Sequence, residues 1–210
     1  MTIAANRLRP IEIALAFGGI VFLGGAFAAT VHRVDYQAQQ ERAIVHHVDG
    51  AVVPARGEVA VDPLVIGRIE IPRVGVRAIV REGTDDRTLA LAVGHLSGTA
   101  VPGGRGNAVL AGHRDTFFRG LRDIRIHDEV RLLVPPVIYE YRVESVEVIP
   151  PEDTRVLDDT KDETLTLVTC FPFSYIGHAP NRFIVHAARV ESTAGDRASS
   201  PHPPVGSPVR

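Results

Sequence analysis

The sequence predicts an all-β soluble domain, a barrel or a sandwich, that follows one membrane-crossing helix. Many short segments alternate apolar and polar residues with the period of a strand, and only one or two segments have the pattern of a short helix. Gly and Pro are frequent, at 19 and 15 of 210 residues, as expected for short strands joined by turns. The 45% hydrophobic content is sufficient for one ordinary core. A net charge of −2 without a Lys/Arg run argues against nucleic acid as a partner.

The N-terminal segment carries the membrane signal. An almost uninterrupted apolar stretch covers residues 13–29 and is preceded by Arg7 and Arg9. Its length, roughly 17 to 19 residues, just reaches what a spanning helix needs and exceeds a usual cleaved signal. Residues 26–28 (AFA) also resemble a signal-peptidase site, so cleavage is the alternative. We favour a retained anchor over residues 11–31, with residues 1–10 cytoplasmic and the rest outside, and either alternative exports the domain.

A stalk and linker are expected over residues 32–62. Residues 36–48 continue the helical pattern, and their polarity argues against burial. Residues 49–62 are punctuated by Gly and Pro and predict no regular structure. The folded domain should cover residues 63–190, and the polar segment 191–210 should be a disordered tail.

Within the domain, alternation and turn residues define the elements in order. A short capped helix should start at Thr84, with Asp85 and Asp86 in the first turn, where the helix dipole favours acidic residues, and should end near Gly94. A helical turn is expected over residues 118–124. The predicted strands cover residues 66–71, 74–81, 107–111, 129–134, 137–149, 164–170 and 182–190.

Cys170 is the only cysteine and stands at the end of the alternating run 164–170. One thiol cannot form an intramolecular disulfide, so in an exported chain it is a candidate reactive group. The alternative is a small buried side chain retained for packing. An unperturbed thiol is only a few per cent ionised at neutral pH, so catalysis needs a base or a cation nearby. His113, just past the strand 107–111, and Arg182, at the start of the last strand, are the candidates.

Three segments then resemble the sortases, the cysteine transpeptidases of bacterial cell envelopes. Residues 166–170 (TLVTC) match the TLxTC signature of the nucleophile strand, residues 112–114 (GHR) match the histidine segment, and residues 182–185 (RFIV) match the arginine segment. The flanking residues 94–118 and 170–173 (CFPF) are most similar to the class D branch. The resemblance covers residues 63–190.

This resemblance implies an eight-stranded β-barrel and a catalytic set of Cys170, His113 and Arg182. Cys170 would attack the Thr carbonyl of an LPxT-type sorting signal on a secreted protein and form a thioacyl enzyme. An amine of the cell wall or of a pilin would then release the acyl group. Arg182 would stabilise the oxyanion or hold the peptide, and His113 would move the protons.

Three further residues are expected near this site. Thr169 is a predicted contributor to the oxyanion or substrate site, and His178, in the loop between Cys170 and Arg182, is a predicted substrate contact. His95 follows the predicted helix end and is expected to tune a neighbouring loop rather than to act as the base.

No metal or other cofactor is expected. The acidic residues of segment 152–163 resemble the position of a calcium site in another sortase class, but they lack regular ligand spacing and indicate a solvated loop. Two alternatives to transpeptidation stay open: a cysteine peptidase that releases the same acyl group to water, and an anchored, non-catalytic binding domain with an inert Cys170.

Overall fold

A computed structural model describes residues 5–48, 62–175 and 177–190 of the chain. Its helices are α1 (Ala5–Val48) and α2 (Asp86–Leu91). Its strands are β1 (Val65–Ile71), β2 (Val76–Glu82), β3 (Val93–His95), β4 (Asn107–Ala111), β5 (Glu129–Val134), β6 (Val137–Ile149), β7 (Thr164–Phe171) and β8 (Asn181–Arg189). Three short 3-10 turns cover Pro72–Val74, Arg119–Asp123 and Arg155–Leu157. The linker and the tail lie outside the described residues, apart from Asp62 at the end of the linker.

In the described part of the chain, the eight strands close into a barrel in the order β1-β2-β3-β4-β7-β8-β6-β5. Six neighbouring pairs are antiparallel and two are parallel: β2 with β3, and β4 with β7, where Ala111 lies opposite Val168. Parallel neighbours end at the same edge of a sheet. The ends of β4 and β7 and the start of β8 therefore meet at one end of the barrel. The predicted eight-stranded, all-β fold is confirmed.

Alternation along the strands fills the barrel with apolar side chains. On β7, Leu165 and Leu167 are fully buried in the core, and Tyr141 from β6 and Phe118 from the segment after β4 join them. Burial of its ring raises the pKa of Tyr141 to about 12. Burying side chains of this size supplies most of the stability of such a domain.

One strand and part of one helix differ from expectation. The sequence pattern gave seven strands and missed β3, because Val93-Gly94-His95 is too short to show alternation and follows a helix directly. The predicted helix start is capped, but by Asp85 rather than by Thr84: the Asp85 side chain accepts from the N–H groups of Arg87 and Thr88. The helix ends at Leu91, so Gly94 and His95 lie on a strand rather than at a helix end.

The predicted stalk helix is present, but the expectation that it is not buried is wrong. α1 continues without a break to Val48, and Gln40 and Ile44 are buried, at 4% and 3% exposure. Gln37 accepts a hydrogen bond from Ile79 N–H at 2.8 Å and donates to Leu91 O at 2.6 Å. Gln37 and Gln40 of this helix therefore bind the folded domain.

The first half of α1 is the apolar part. Among the described residues, one helical segment, Ala14–Ile44, is long and apolar enough to cross a membrane. Its large side chains, including Leu15, Phe22 and Phe27, are exposed on all sides. A helix that is apolar all round and lacks protein contacts fits a membrane anchor.

Candidate active site

One end of the barrel gathers the predicted catalytic residues into a single cleft. Cys170 comes from the end of β7, Arg182 from the start of β8, and His113 from the loop that leaves β4. The cleft has a volume of about 340 Å³, and its walls are shared by these three residues and the loop 177–179. The fold thus brings together three residues that are up to 69 positions apart in the sequence.

Cys170 and Arg182 face each other across one pair of strands. They are direct partners in the β7–β8 register, and neither is fully buried. Opposite residues of an antiparallel pair have their Cβ atoms about 4.5–5.5 Å apart. The Arg182 guanidinium also donates from Nη1 to the backbone oxygens of Ala179 and Asn181, at 3.3 and 3.1 Å. These bonds hold the guanidinium at the loop beside the thiol.

Two hydrogen bonds fix the His113 loop to the nucleophile strand. Gly112 N–H donates to Val168 O at 3.1 Å, and the buried Thr169 hydroxyl donates to Gly112 O at 2.7 Å. A side chain at position 112 would not fit, because a Cβ there would lie 2.8 Å from the Phe118 ring. His113 follows directly and is exposed, so its ring is free to meet a substrate.

Arg114 joins the two loops of the cleft and was not singled out by the sequence analysis. Its Nη2 donates to Tyr175 O at 2.6 Å and to Gly177 O at 3.0 Å, so it ties the His113 loop to the loop between β7 and β8. That second loop carries the exposed His178, which lines the cleft as well. In the sequence, only its position next to His113 indicates a role for Arg114, because its hydrogen-bond partners are about sixty residues away.

A small apolar cluster lies on the outside of the barrel, near the Cys170 end of β7. Val168, two residues before the thiol and on the same face of β7, packs in a cluster with Ile184, Ile149, Val156 and Leu157. The last two belong to the loop 150–163, which buried Asn107 holds by donating to Val156 O and Asp158 O at 2.9 and 3.0 Å. Ile149, Val156 and Ile184 are buried, and the partly exposed apolar side chains of the cluster are Val168 and Leu157.

His95 lies outside this cleft and is fully engaged elsewhere. It is 4% exposed, with Nδ1 2.6 Å from Glu82 Oε2 and Nε2 2.9 Å from Ala100 O. Burial alone would raise the pKa of Glu82, but hydrogen bonds from Ser97 and His95 outweigh it and hold this pKa below its usual value. His95 thus fixes the loop after β3.

The acidic loop before β7 offers no formed cation site. Within the described residues, no three His, Cys, Asp or Glu side chains are grouped as metal ligands. Asp159 instead accepts from Asn107 N–H at 3.2 Å, and Asp153 accepts from the Arg155 guanidinium at 2.9 Å.

Comparisons with known proteins agree on one family. Residues 69–190 match the model of the Sortase domain. Sortase D of Bacillus subtilis (strain 168) is 37% identical over 125 residues, which are 59% of this chain and 63% of that protein. The chain thus spans less than two thirds of this relative's own length.

Solved structures give the same result. A Sortase D5 transpeptidase from Clostridium perfringens is 31% identical with a TM-score of 0.55, over 60% of this chain and 79% of that one. Sortase C-1 from Actinomyces oris is 34% identical with a TM-score of 0.58, over 63% and 77%. The predicted resemblance, including its class D leaning, is confirmed.

Proposed function

The chain belongs to the sortase family, and from this premise we propose that it is a membrane-anchored cysteine transpeptidase that cleaves an LPxT-type sorting signal of secreted proteins. The observation that carries the proposal is the convergence of Cys170, Arg182 and His113 on one cleft from three separate elements.

The proposed chemistry has two acyl transfers. The Cys170 thiolate attacks the carbonyl carbon of the substrate Thr, the peptide C–N bond breaks, and His113 gives a proton to the departing amine. An incoming amine then attacks the thioester, His113 takes its proton, and the Cys170 sulfur leaves. Arg182, opposite Cys170, supplies positive charge where the carbonyl oxygen becomes negative in both steps.

The surroundings of the thiol support a peptide substrate. Val168 and Leu157, the partly exposed members of the neighbouring apolar cluster, are proposed contacts for the Leu and Pro of a sorting signal. His178 is a proposed contact to the peptide from the opposite loop. The Thr169 hydroxyl is already bound to Gly112 O, so we assign it to positioning the His113 loop within the predicted substrate site.

The location and partners follow from the same proposal. Residues 11–31 would anchor the chain in the cytoplasmic membrane as a single pass, with residues 1–10 inside and the domain 63–190 outside. The partners would then be secreted proteins with a C-terminal sorting signal, and an amine of the cell wall or of a pilin. Hydrolysis of the acyl enzyme by water is the competing outcome, and an inert binding domain is the non-enzymatic one.

The test is mass spectrometry of the full-length protein with LPxTG and LPxTA peptides, with and without an added amine. We expect cleavage after Thr, a covalent adduct on Cys170, and an amide product when amine is present. Cys170→Ala should give none of these. Cleavage without an amide product would make the protein a peptidase, and a folded wild type that forms no adduct would point to the inert barrel.

A further inference from the structure

The contacts of α1 show which side of the barrel lies nearest its apolar segment. Arg33 lies over the Phe117 ring, 5.9 Å from its centroid, in the segment that follows β4 and His113. One turn later Gln37 binds β2 at Ile79, and another turn later Glu41 binds Arg68 of β1 at 3.0 Å. From Glu41 back toward the apolar stretch, α1 therefore contacts first β1, then β2, and finally the segment that follows His113.

The distance between the His113 side of the barrel and the membrane follows from the helix geometry. Arg33 is four residues past Ala29, which is about 6 Å along an α-helix. The headgroup layer on each side of a bilayer is about 5–8 Å thick. This placement requires α1 to cross a membrane and therefore rests on the anchoring proposed above. With that anchoring, Phe117 lies at the level of the headgroups.

The charge of the same segment suits an anionic surface. Residues 113–127 carry four arginines against two aspartates, whereas the loop 150–163 on the other side of Cys170 carries a formal charge of −4. Arg119, Arg122 and Arg125 are all exposed, as is Ile126 at 55%. Within the described residues, neither Arg119 nor Arg125 has a carboxylate at ion-pair distance. Residues three apart in a 3-10 turn share one side, so Arg119 and Arg122 project together.

We propose that segment 119–127 rests on the anionic headgroups of the bilayer that α1 crosses, so that the active-site cleft opens at the membrane surface with its His113 side toward the lipid. Two independent features support this orientation. The contacts of α1 place this segment near the membrane, and its arginines are opposite in charge to anionic headgroups. The acidic loop 150–163 is thereby turned away from the lipid. The docked face would favour substrates held in the same membrane.

The test uses the single cysteine as a reporter of height. A donor dye is attached to Cys170 of the full-length protein, which is reconstituted in vesicles that carry an acceptor dye on some headgroups. One vesicle set contains phosphatidylcholine only, and the other contains about one third phosphatidylglycerol. Energy transfer should be higher in the anionic set and should fall when salt rises from about 0.1 M to about 0.5 M.

Two matched variants identify the surface. Arg119→Glu/Arg125→Glu should lower the docked-to-lifted ratio in anionic vesicles about 30-fold, at about 1 kcal/mol for each cation. Arg105→Glu/Lys161→Glu makes the same change in net charge at two exposed, neighbouring sites at and beside the loop 150–163, and should leave the ratio unchanged. Circular dichroism checks that each variant is folded.

Equal transfer in both vesicle sets, or equal loss in both variants, would overturn the proposal. So would competition by a soluble polyanion without any effect of lipid charge, which would make a wall polymer the partner. Adduct formation on unlabelled protein with soluble peptide is measured separately. If no adduct forms but energy transfer still depends on lipid charge, the proposed function is wrong and the proposed docking stands.

Discussion

His113 and His95 stand on paired neighbouring strands or just beyond them, yet their surroundings are opposite. His95 is buried, and both of its ring nitrogens lie within hydrogen-bond distance of oxygen atoms. His113 is exposed beside Cys170, and its loop is held through its neighbours Gly112 and Arg114 and through Thr169. A histidine whose nitrogens are occupied stabilises a fold, whereas one that is positioned but unoccupied is available for proton transfer. Substitutions of each histidine and of its neighbours test this difference.

The largest effect is expected for His113→Ala. Removing a general acid and base should lower kcat/KM for amide formation by about 10²–10⁴-fold, because neither the leaving nor the incoming amine can exchange its proton. The melting temperature should stay near that of the wild type, since the ring is exposed. Peptide kinetics and thermal unfolding on the same samples measure both. Retained activity would show that another group moves the proton.

Next in size is Arg182→Lys. Lysine keeps the charge but loses the planar, multiply donating guanidinium, so we expect a loss of about 10²-fold in kcat. Arg142→Lys, at an exposed site on β6, is the matched control and should have no effect. Equal activity of the two variants would argue against an oxyanion role for Arg182.

Thr169→Val tests the connection between the nucleophile strand and the His113 loop. Losing the donor to Gly112 O should cost about 1–3 kcal/mol of unfolding free energy and about tenfold in kcat, because the carbonyl is left without its partner. Thr169→Ser should restore both. If serine rescued stability but not rate, the threonine methyl group rather than the hydroxyl would matter.

His95→Ala should give the reverse of His113→Ala. We expect a loss of about 2 kcal/mol in unfolding free energy from the broken contacts to Glu82 and Ala100, while folded molecules retain full activity. Urea unfolding and active-site titration measure the two quantities. A large loss of activity per folded molecule would place His95 in the catalytic apparatus.

The smallest effect concerns pH. The pKa of Glu82 is lowered in the folded state, so its contribution is present above the unfolded value of about 4.3 and is lost as pH falls through the folded value. Wild-type stability should therefore fall more steeply than that of Glu82→Gln between about pH 5 and pH 3. With 39% of the side chain exposed, the difference should be only a few tenths of a kcal/mol. Parallel curves would contradict the assignment.

Much of this architecture could be predicted because its strands show clear signals. Strands β5 and β6 begin and end where alternation and turn residues placed them. β3 could not be found, since three residues are too few to show a period and the strand exists only through its pairing with β2 and β4.

The site was less predictable than the fold. Motifs indicated Cys170, His113 and Arg182 by resemblance, but the bonds from Arg114 to Tyr175 and Gly177 depend on tertiary structure. The packing of Gln37, Gln40 and Ile44 was missed for a related reason. Polarity suggests solvent unless the partner groups, here backbone atoms of β2 and α2, are known.

The parallel pairing of β4 with β7 ties maturation to function. His113 and Cys170 are 57 residues apart along the chain, and that ladder forms only after the intervening hairpin of β5 and β6 has been accommodated. Until this ladder forms, Cys170 is a thiol without its proposed proton carrier beside it. Catalytic competence would therefore require this long-range contact, so the appearance of activity in a refolding experiment would report that β4 and β7 have paired.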